Sequence, residues 1–287
     1  MNLSRLVSTQ MSLLRQGIEL VIHEFRQVQG RIDLRFDRAI LERIEQLRAA
    51  LTIESAPPEE RLTAAETTAV DVTPAPVVSP AKREKFNQLR QLVLVCRKCP
   101  HLVAFRHQVV FGVGNPDAEL MFVGEAPGAD EDLQGEPFVG RAGELLTRII
   151  QTMGFSREEV YIANVLKCRP DMPPGKSGNR PPTSDEMATC LPYLREQIAL
   201  IQPKLMVALG GVAMRGLLGL DQPMKSLRGR WHEFAGIPVM PTFHPSYLLR
   251  NQSLTEKRKV WEDMLLVLER LKRPISQRQR NFFLTKS

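Results

Sequence analysis

The sequence predicts an α/β protein: a three-layer domain with a central, mostly parallel four-stranded sheet flanked by helices, preceded by an N-terminal helical extension. Two observations carry that prediction. Four apolar runs of strand length, at Glu119–Gly124, Val160–Leu166, Lys204–Leu209 and Ile237–Phe243, punctuate the chain from residue 119 onward. Stretches with helical spacing of apolar residues separate or follow them, so strand and helix alternate. That alternation implies parallel strands with helices on both faces.

Taken in order, residues 1–53 read as helical. Leu13, Leu14, Ile18, Val21, Ile22 and Phe25 recur at spacings of three and four, and the rhythm returns at Ile40, Ile44, Leu47 and Leu51. Such a segment either packs on itself as an amphipathic pair or docks on a protein partner. Residues 54–83 lose the periodicity and carry Pro57, Pro58, Pro74, Pro76 and Pro80, the composition of an extended linker. From residue 84 the regular alternation begins. Residues 141–154 form a helix with Leu145, Leu146, Ile149 and Ile150 on one face. Thr183 and Glu186 make a capping box that opens a long helix. Gly210 and Gly211 end the third strand before a helix near 212–219, residues 256–272 close the domain as a helix, and 274–287 form a basic tail.

Composition narrows the function. The net charge is +7 and the pI about 9.4, which suits a polyanionic partner without proving one. No apolar stretch approaches the roughly 20 residues of a membrane span. The N-terminus is interrupted by Arg5, Arg15, His23 and Arg26 where a leader needs an apolar core. These features predict a cytoplasmic protein without a membrane partner. In that compartment thiols stay reduced, and clustered cysteines bind metal more often than they form disulfides.

There are four cysteines. Cys96 and Cys99 are separated by two residues, so both thiolates can reach one centre. Cys168 follows the second strand, and Cys190 lies on the next helix. The set suits a Cys₄ site for zinc or for an iron–sulfur cluster. Spacing leaves both open, although the long loop between Cys168 and Cys190 favours the cluster over a zinc ribbon.

Ligands of parallel sheets bind beyond the carboxyl ends of the strands. The residues there are Glu125 to Asp132, Asn164, Gly210 with Gly211, and His244 with Pro245. They are also the chemically unusual ones. The first of these loops is rich in glycine but acidic, and it contains neither a P-loop nor a dinucleotide fingerprint. Carboxylates repel phosphate, so this loop better suits a flipped base or a developing sugar cation.

The motifs Gly124-Glu-Ala-Pro-Gly128, Pro137-Phe-Val-Gly-Arg-Ala-Gly143, Asn164-Val-Leu-Lys-Cys-Arg-Pro170, Asn179-Arg-Pro-Pro182 and His244-Pro-Ser-Tyr-Leu-Leu249 resemble those of the family-four uracil-DNA glycosylases. The resemblance spans about residues 84–273 and includes all four cysteines in order. It implies an enzyme that hydrolyses the N-glycosidic bond of deoxyuridine in uracil-containing DNA and leaves an abasic site, after flipping the base out of the stack. It implies a structural [4Fe–4S] cluster held by Cys96, Cys99, Cys168 and Cys190. Phe138 is expected to stack on uracil and Asn164 to read its amide edge, with Glu125, Ala126 and Asn179 completing the pocket. Glu131 is expected to position water and stabilise the oxocarbenium, with Asp130 and Asp132 as rival acids, because Ala126 stands where some relatives of the wider superfamily carry an aspartate. His244 is expected to hydrogen-bond uracil O2. Leu248 or Leu249 is expected to wedge into the duplex, with Arg250 on phosphate and the N–H groups of Gly210 and Gly211 on another.

Two other readings compete with this one. A non-catalytic iron–sulfur DNA-binding module, tied to replication or repair through residues 1–53, would bind DNA without releasing a base. A Mg²⁺-dependent nuclease using the acidic loop would cut strands directly.

Overall fold

The structure is a computed structural model that describes residues 79–170, 172 and 178–284. The helical reading of 1–53, and nearly all of the 54–83 linker, lie outside the described residues. The described part opens with α1 (Pro80–Leu94), capped by the Ser79 hydroxyl, which accepts from the Lys82 N–H at 3.2 Å. Pro80 therefore stands at the first helical position, where its missing N–H costs nothing, and the helix begins four residues before the boundary drawn at 84. Helix α2 (Pro100–Phe105) follows directly after Cys99.

The remaining elements are β1 (Val113–Gly114), β2 (Leu120–Gly124), α3 (Ala129–Gln134), α4 (Arg141–Thr152), β3 (Tyr161–Asn164), α5 (Ser184–Ile201), β4 (Leu205–Leu209), α6 (Gly211–Leu218), α7 (Met224–Leu227), β5 (His232–Phe234), β6 (Ile237–Thr242), α8 (Pro245–Arg250), α9 (Leu254–Arg270) and α10 (Gln277–Arg280). They build one mixed sheet of six strands in the order β1-β3-β2-β4-β6-β5. The four central strands, β3, β2, β4 and β6, are parallel and coincide with the four apolar runs. The expected count of four is corrected by β1 and β5, which pair antiparallel at the two edges. At two and three residues these strands are too short to show periodicity, and their neighbours define them.

Successive side chains of a strand point to opposite faces, which separates two cores. Met121 and Val123 of β2, with Met206 and Ala208 of β4, pack under α1, α5 and α6. Leu120 and Phe122, with Leu205 and Val207, pack under α4 and α9 through Leu146, Ile150, Met264 and Leu268. The capping box of α5 forms as the sequence indicates: the Thr183 N–H donates to Glu186 Oε2 at 2.7 Å and the Glu186 N–H to Thr183 Oγ1 at 3.2 Å. The stretch after 273 is fastened to the domain. Trp261 Nε1 donates to the Gln279 carbonyl at 2.6 Å, Arg258 Nη1 to those of Arg280 and Phe282, and the Phe282 ring stands edge-on to Trp261.

Candidate active site

The carboxyl ends of the four parallel strands lie along one edge of the sheet. β2 ends at Gly124 directly beside Asn164, the last residue of β3. A methyl group on Gly124 would overlap both Asn164 Oδ1 and the Phe138 ring, so only glycine allows these two side chains to meet there. Asn164 is 2% exposed, and its Oδ1 is buried without a hydrogen-bond partner. Such an acceptor is costly unless a ligand donates to it.

Phe138 is buried at φ 55°, a left-handed conformation that costs a bulky residue about 1–2 kcal/mol. The surroundings enforce it. Arg157 Nη2 donates to the Pro137 carbonyl at 2.9 Å, and Gly143 in the first turn of α4 lies against the Phe138 carbonyl, leaving no room for a side chain there. Strain of this kind concentrates where geometry serves a ligand. The Phe138 ring lies 5.6 Å from that of His244, centroid to centroid.

His244 caps α8 after β6. Its Nδ1 accepts from the Ser246 backbone N–H at 3.2 Å and lies 2.8 Å from Ser246 Oγ. Because a backbone N–H can only donate, Nδ1 carries no proton, and the proton of the neutral ring sits on Nε2. Burial pushes the imidazole down to about 4, with the positive charge of Arg250 acting in the same direction. Gly210, at φ 94°, ends β4 against this residue. A Cβ on Gly210 would stand 3.1 Å from His244 Cβ.

Glu131 lies in the third position of α3 and clamps the loop. Its Oε2 accepts from the Gly128 N–H at 3.0 Å, and its Oε1 from the N–H groups of Val139 and Gly140 at 3.1 and 3.2 Å. Three of the four lone-pair positions of this carboxylate are thereby used, and the loop carrying Phe138 is tied to α3. Of the rival acids, Asp132 is buried and accepts from both the backbone N–H and Nδ1 of His107, while Asp130 lies against Gly140. Glu125 is half-buried, and that burial raises its carboxyl above the usual range against the pull of Arg215. Ala126 is half-buried beside it. Asn179 is exposed, yet its Nδ2 lies near Gly128, next to Glu131.

Of the residues expected to touch DNA, Arg250 is exposed at the end of α8, and Gly210 and Gly211 open α6. Leu248 is a correction. It is 5% exposed and packs with Phe243 and Val260 in the small core beneath α8, so it does not face solvent as a wedge must. The next residue, Leu249, is half-buried and rotated toward the surface by one helical step.

The four cysteines come from separate elements, the turn between α1 and α2, the segment after β3, and α5, and they line one cavity with Val93, Leu102 and Tyr193. Among the described residues no three His, Cys, Asp or Glu side chains gather tightly enough for a single metal ion. The four thiols line one small cavity. Arg106 Nη1 donates to Cys168 Sγ at 3.1 Å, and the Lys167 N–H to Cys190 Sγ at 3.3 Å, contacts that stabilise thiolate sulfur. As free thiols Cys99, Cys168 and Cys190 are raised by burial, Cys190 to about 11. The donor set fits a thiolate-bound iron–sulfur group.

Arg157, Lys167 and Gln197 escaped the sequence reading. Lys167 is buried with its Nζ donating to the Asn164 carbonyl and to Gln197 Oε1, and burial pushes its ammonium down to about 8. Its signal was visible as a lone cation in an otherwise apolar run, Val165-Leu166-Lys167-Cys168.

Residues 111–265 match the model of the uracil DNA glycosylase superfamily. The chain is 44% identical over 185 residues to the type-4 uracil-DNA glycosylase of Thermotoga maritima, covering 64% of this chain and 93% of that protein. It is 40% identical over 182 residues to the type-4 enzyme of Archaeoglobus fulgidus, covering 61% and 88%. It is 30% identical over 224 residues to the type-5 uracil-DNA glycosylase of Thermus thermophilus, covering 67% and 97%. With its strand ends and strained Phe138 set in that matched region, the chain belongs to the uracil DNA glycosylase superfamily, beside its type-4 members.

Proposed function

We propose that the protein is a monofunctional uracil-DNA glycosylase of base excision repair, and that residues 84–273 suffice for the reaction. The observation that carries this reading is the buried, unpartnered Asn164 Oδ1 beside Phe138 at the sheet's carboxyl edge. A carboxamide there pairs with the adjacent donor and acceptor of uracil, and cytosine would leave buried groups unpaired. The flipped base stacks on Phe138.

As the N-glycosidic bond breaks, uracil departs with the electron pair, and charge develops as an oxocarbenium on the sugar and an anion at uracil O2. Water then adds to C1′ and gives up a proton, which through solvent balances the uracil anion. The neutral His244 offers its Nε2–H to uracil O2, a donor already oriented by Ser246. Glu131 supplies fixed negative charge near the sugar and keeps one lone pair free for the water. Glu125, Ala126 and Asn179 complete the pocket wall. Arg250, the N–H groups of Gly210 and Gly211, and Leu249 in place of Leu248 meet the DNA strand.

Cys96, Cys99, Cys168 and Cys190 hold a [4Fe–4S] cluster whose chemistry here is that of a cross-link, tying α1, the segment after β3 and α5 together. A cytoplasmic location accords with reduced thiols. No described helix is long and apolar enough to cross a membrane. Residues 1–53, by their amphipathic pattern, dock on a protein partner.

The test is release of uracil from a labelled oligonucleotide containing one uracil, in EDTA, followed by alkali. Strand cleavage only after alkali, and none with thymine or cytosine at that position, is the expected result. DNA binding without an abasic site would favour the non-catalytic module. Cleavage that requires Mg²⁺ and no alkali would favour the nuclease.

A further inference from the structure

A lysine is seldom fully buried unless an anion balances it. Lys167 is 1% exposed, and among the described residues no aspartate or glutamate pairs with it. Its Nζ donates to two neutral acceptors, the Asn164 backbone carbonyl at 3.0 Å and Gln197 Oε1 at 2.6 Å. Gln197 is itself fully buried and held by its own donations to the Phe111 carbonyl and Tyr161 Oη, both at 3.0 Å, so the amine cannot swing away without leaving that network unpaired. Lys167 also lines the cysteine cavity, and its backbone N–H reaches Cys190 Sγ. The charge that acts on this cation is that of the Cys190 thiolate, which draws the ammonium up against its burial. Four thiolates outweigh the positive charge of an iron–sulfur core, and the excess needs compensation inside the protein.

We propose that Lys167 is a positioning residue that joins the cluster site to the uracil-reading site: its ammonium is the buried counter-charge of the thiolate-bound cluster, and its hydrogen bond to the Asn164 carbonyl fixes the strand end from which the Asn164 carboxamide projects. The inference rests on reading the four cysteines as the cluster site. It gives the cluster a definite consequence for excision, because what perturbs the charge on one side of Lys167 loosens the acceptor on the other. Arg106 differs in kind. It touches Cys168 Sγ and the Cys96 carbonyl but no residue of the pocket.

The experiment uses the full chain purified with its iron, as wild type, Lys167→Met and Lys167→Gln. The second substitution removes the charge but keeps a donor that can serve the Asn164 carbonyl and leaves the Gln197 network intact, so it answers the question even where Lys167→Met does not fold. Three quantities are read: iron released to a chelator over time, the reduction potential of the cluster, and kcat and KM for a uracil oligonucleotide. Removing or neutralising the cation should shift the potential to more negative values, since reduction adds an electron to an already anionic group. It should also speed iron loss about 10- to 100-fold, the range for residues that support metal ligands. The Lys167→Met enzyme should show a raised KM as the strand end loosens. A wild-type potential and iron retention in both variants would overturn the proposal, because a merely structural lysine leaves the potential unmoved. Wild-type protein that carries no iron would instead overturn the cluster reading on which the proposal stands.

Discussion

His244 should catalyse as a neutral imidazole, and its surroundings make this measurable. Burial pushes the ring from the ordinary value of about 6.5 down to about 4. Over that interval the unfolded chain binds a proton that the folded one refuses. Stability is therefore full above about pH 6.5 and declines as pH falls toward 4, by on the order of 3 kcal/mol in total. Substituting His244 by Ala removes that proton linkage and flattens stability across pH 4–6.5. The same change removes the Nε2–H donor to uracil O2, a loss of about 10²–10³ in kcat for one oriented donor. The assay is single-turnover excision in EDTA from pH 4 to pH 9, paired with thermal melts at each pH. Wild type should show no inflection near 6.5 on the acid side, and the variant should bind DNA normally while reacting slowly throughout. An inflection near 6.5 that disappears in His244→Ala, or a variant that excises at the wild-type rate, would refute this account of the residue.

Three further outcomes are expected. Glu131→Gln turns an amide N–H₂ toward backbone donors that now point at a carboxylate, so it should cost about 1–3 kcal/mol in a melt as well as slowing excision; an unchanged melting temperature would argue against the clamp. Gly124→Ala drives a methyl against Asn164 and Phe138 and should cut kcat/KM by about 10²-fold, the scale of a misplacement near 1 Å, with wild-type activity as the contrary result. Leu248→Ala should destabilise the fold by about 2–5 kcal/mol as a core truncation, whereas Leu249→Ala should leave the melt nearly unchanged and slow excision from duplex DNA; the reverse pattern would restore Leu248 as the wedge.

Much of this protein was legible one residue at a time. The four parallel strands announced themselves because each is buried on both faces and so reads as an unbroken apolar run. The capping box at Thr183 was legible because its hydrogen bonds span three residues. The placement of Gly124, Asn164, Gly210 and His244 at strand ends followed from alternation alone, since parallel topology puts every such end on one side. What stayed hidden depended on partners distant in sequence. The edge strands β1 and β5 exist only through pairing, and the residues after 273 read as a basic tail until Trp261 and Arg258 fastened them to α9.

The sequence by itself determined the fold class, the family motifs and the residue types at the pocket, because these rest on local periodicity and on chemistry carried by adjacent residues. Only the tertiary structure decided how those residues stand. It turned Leu248 inward, since the side that faces Phe243 and Val260 is set by how α8 lies on its neighbours. It occupied three lone-pair positions of Glu131 with backbone from two loops, and it buried Lys167 between Asn164 and the cysteines. The deciding contacts reach past a helical turn, 8 residues from Glu131 to Val139 and 23 from Lys167 to Cys190, and no local pattern encodes whether a lone pair is already taken or a cation already enclosed.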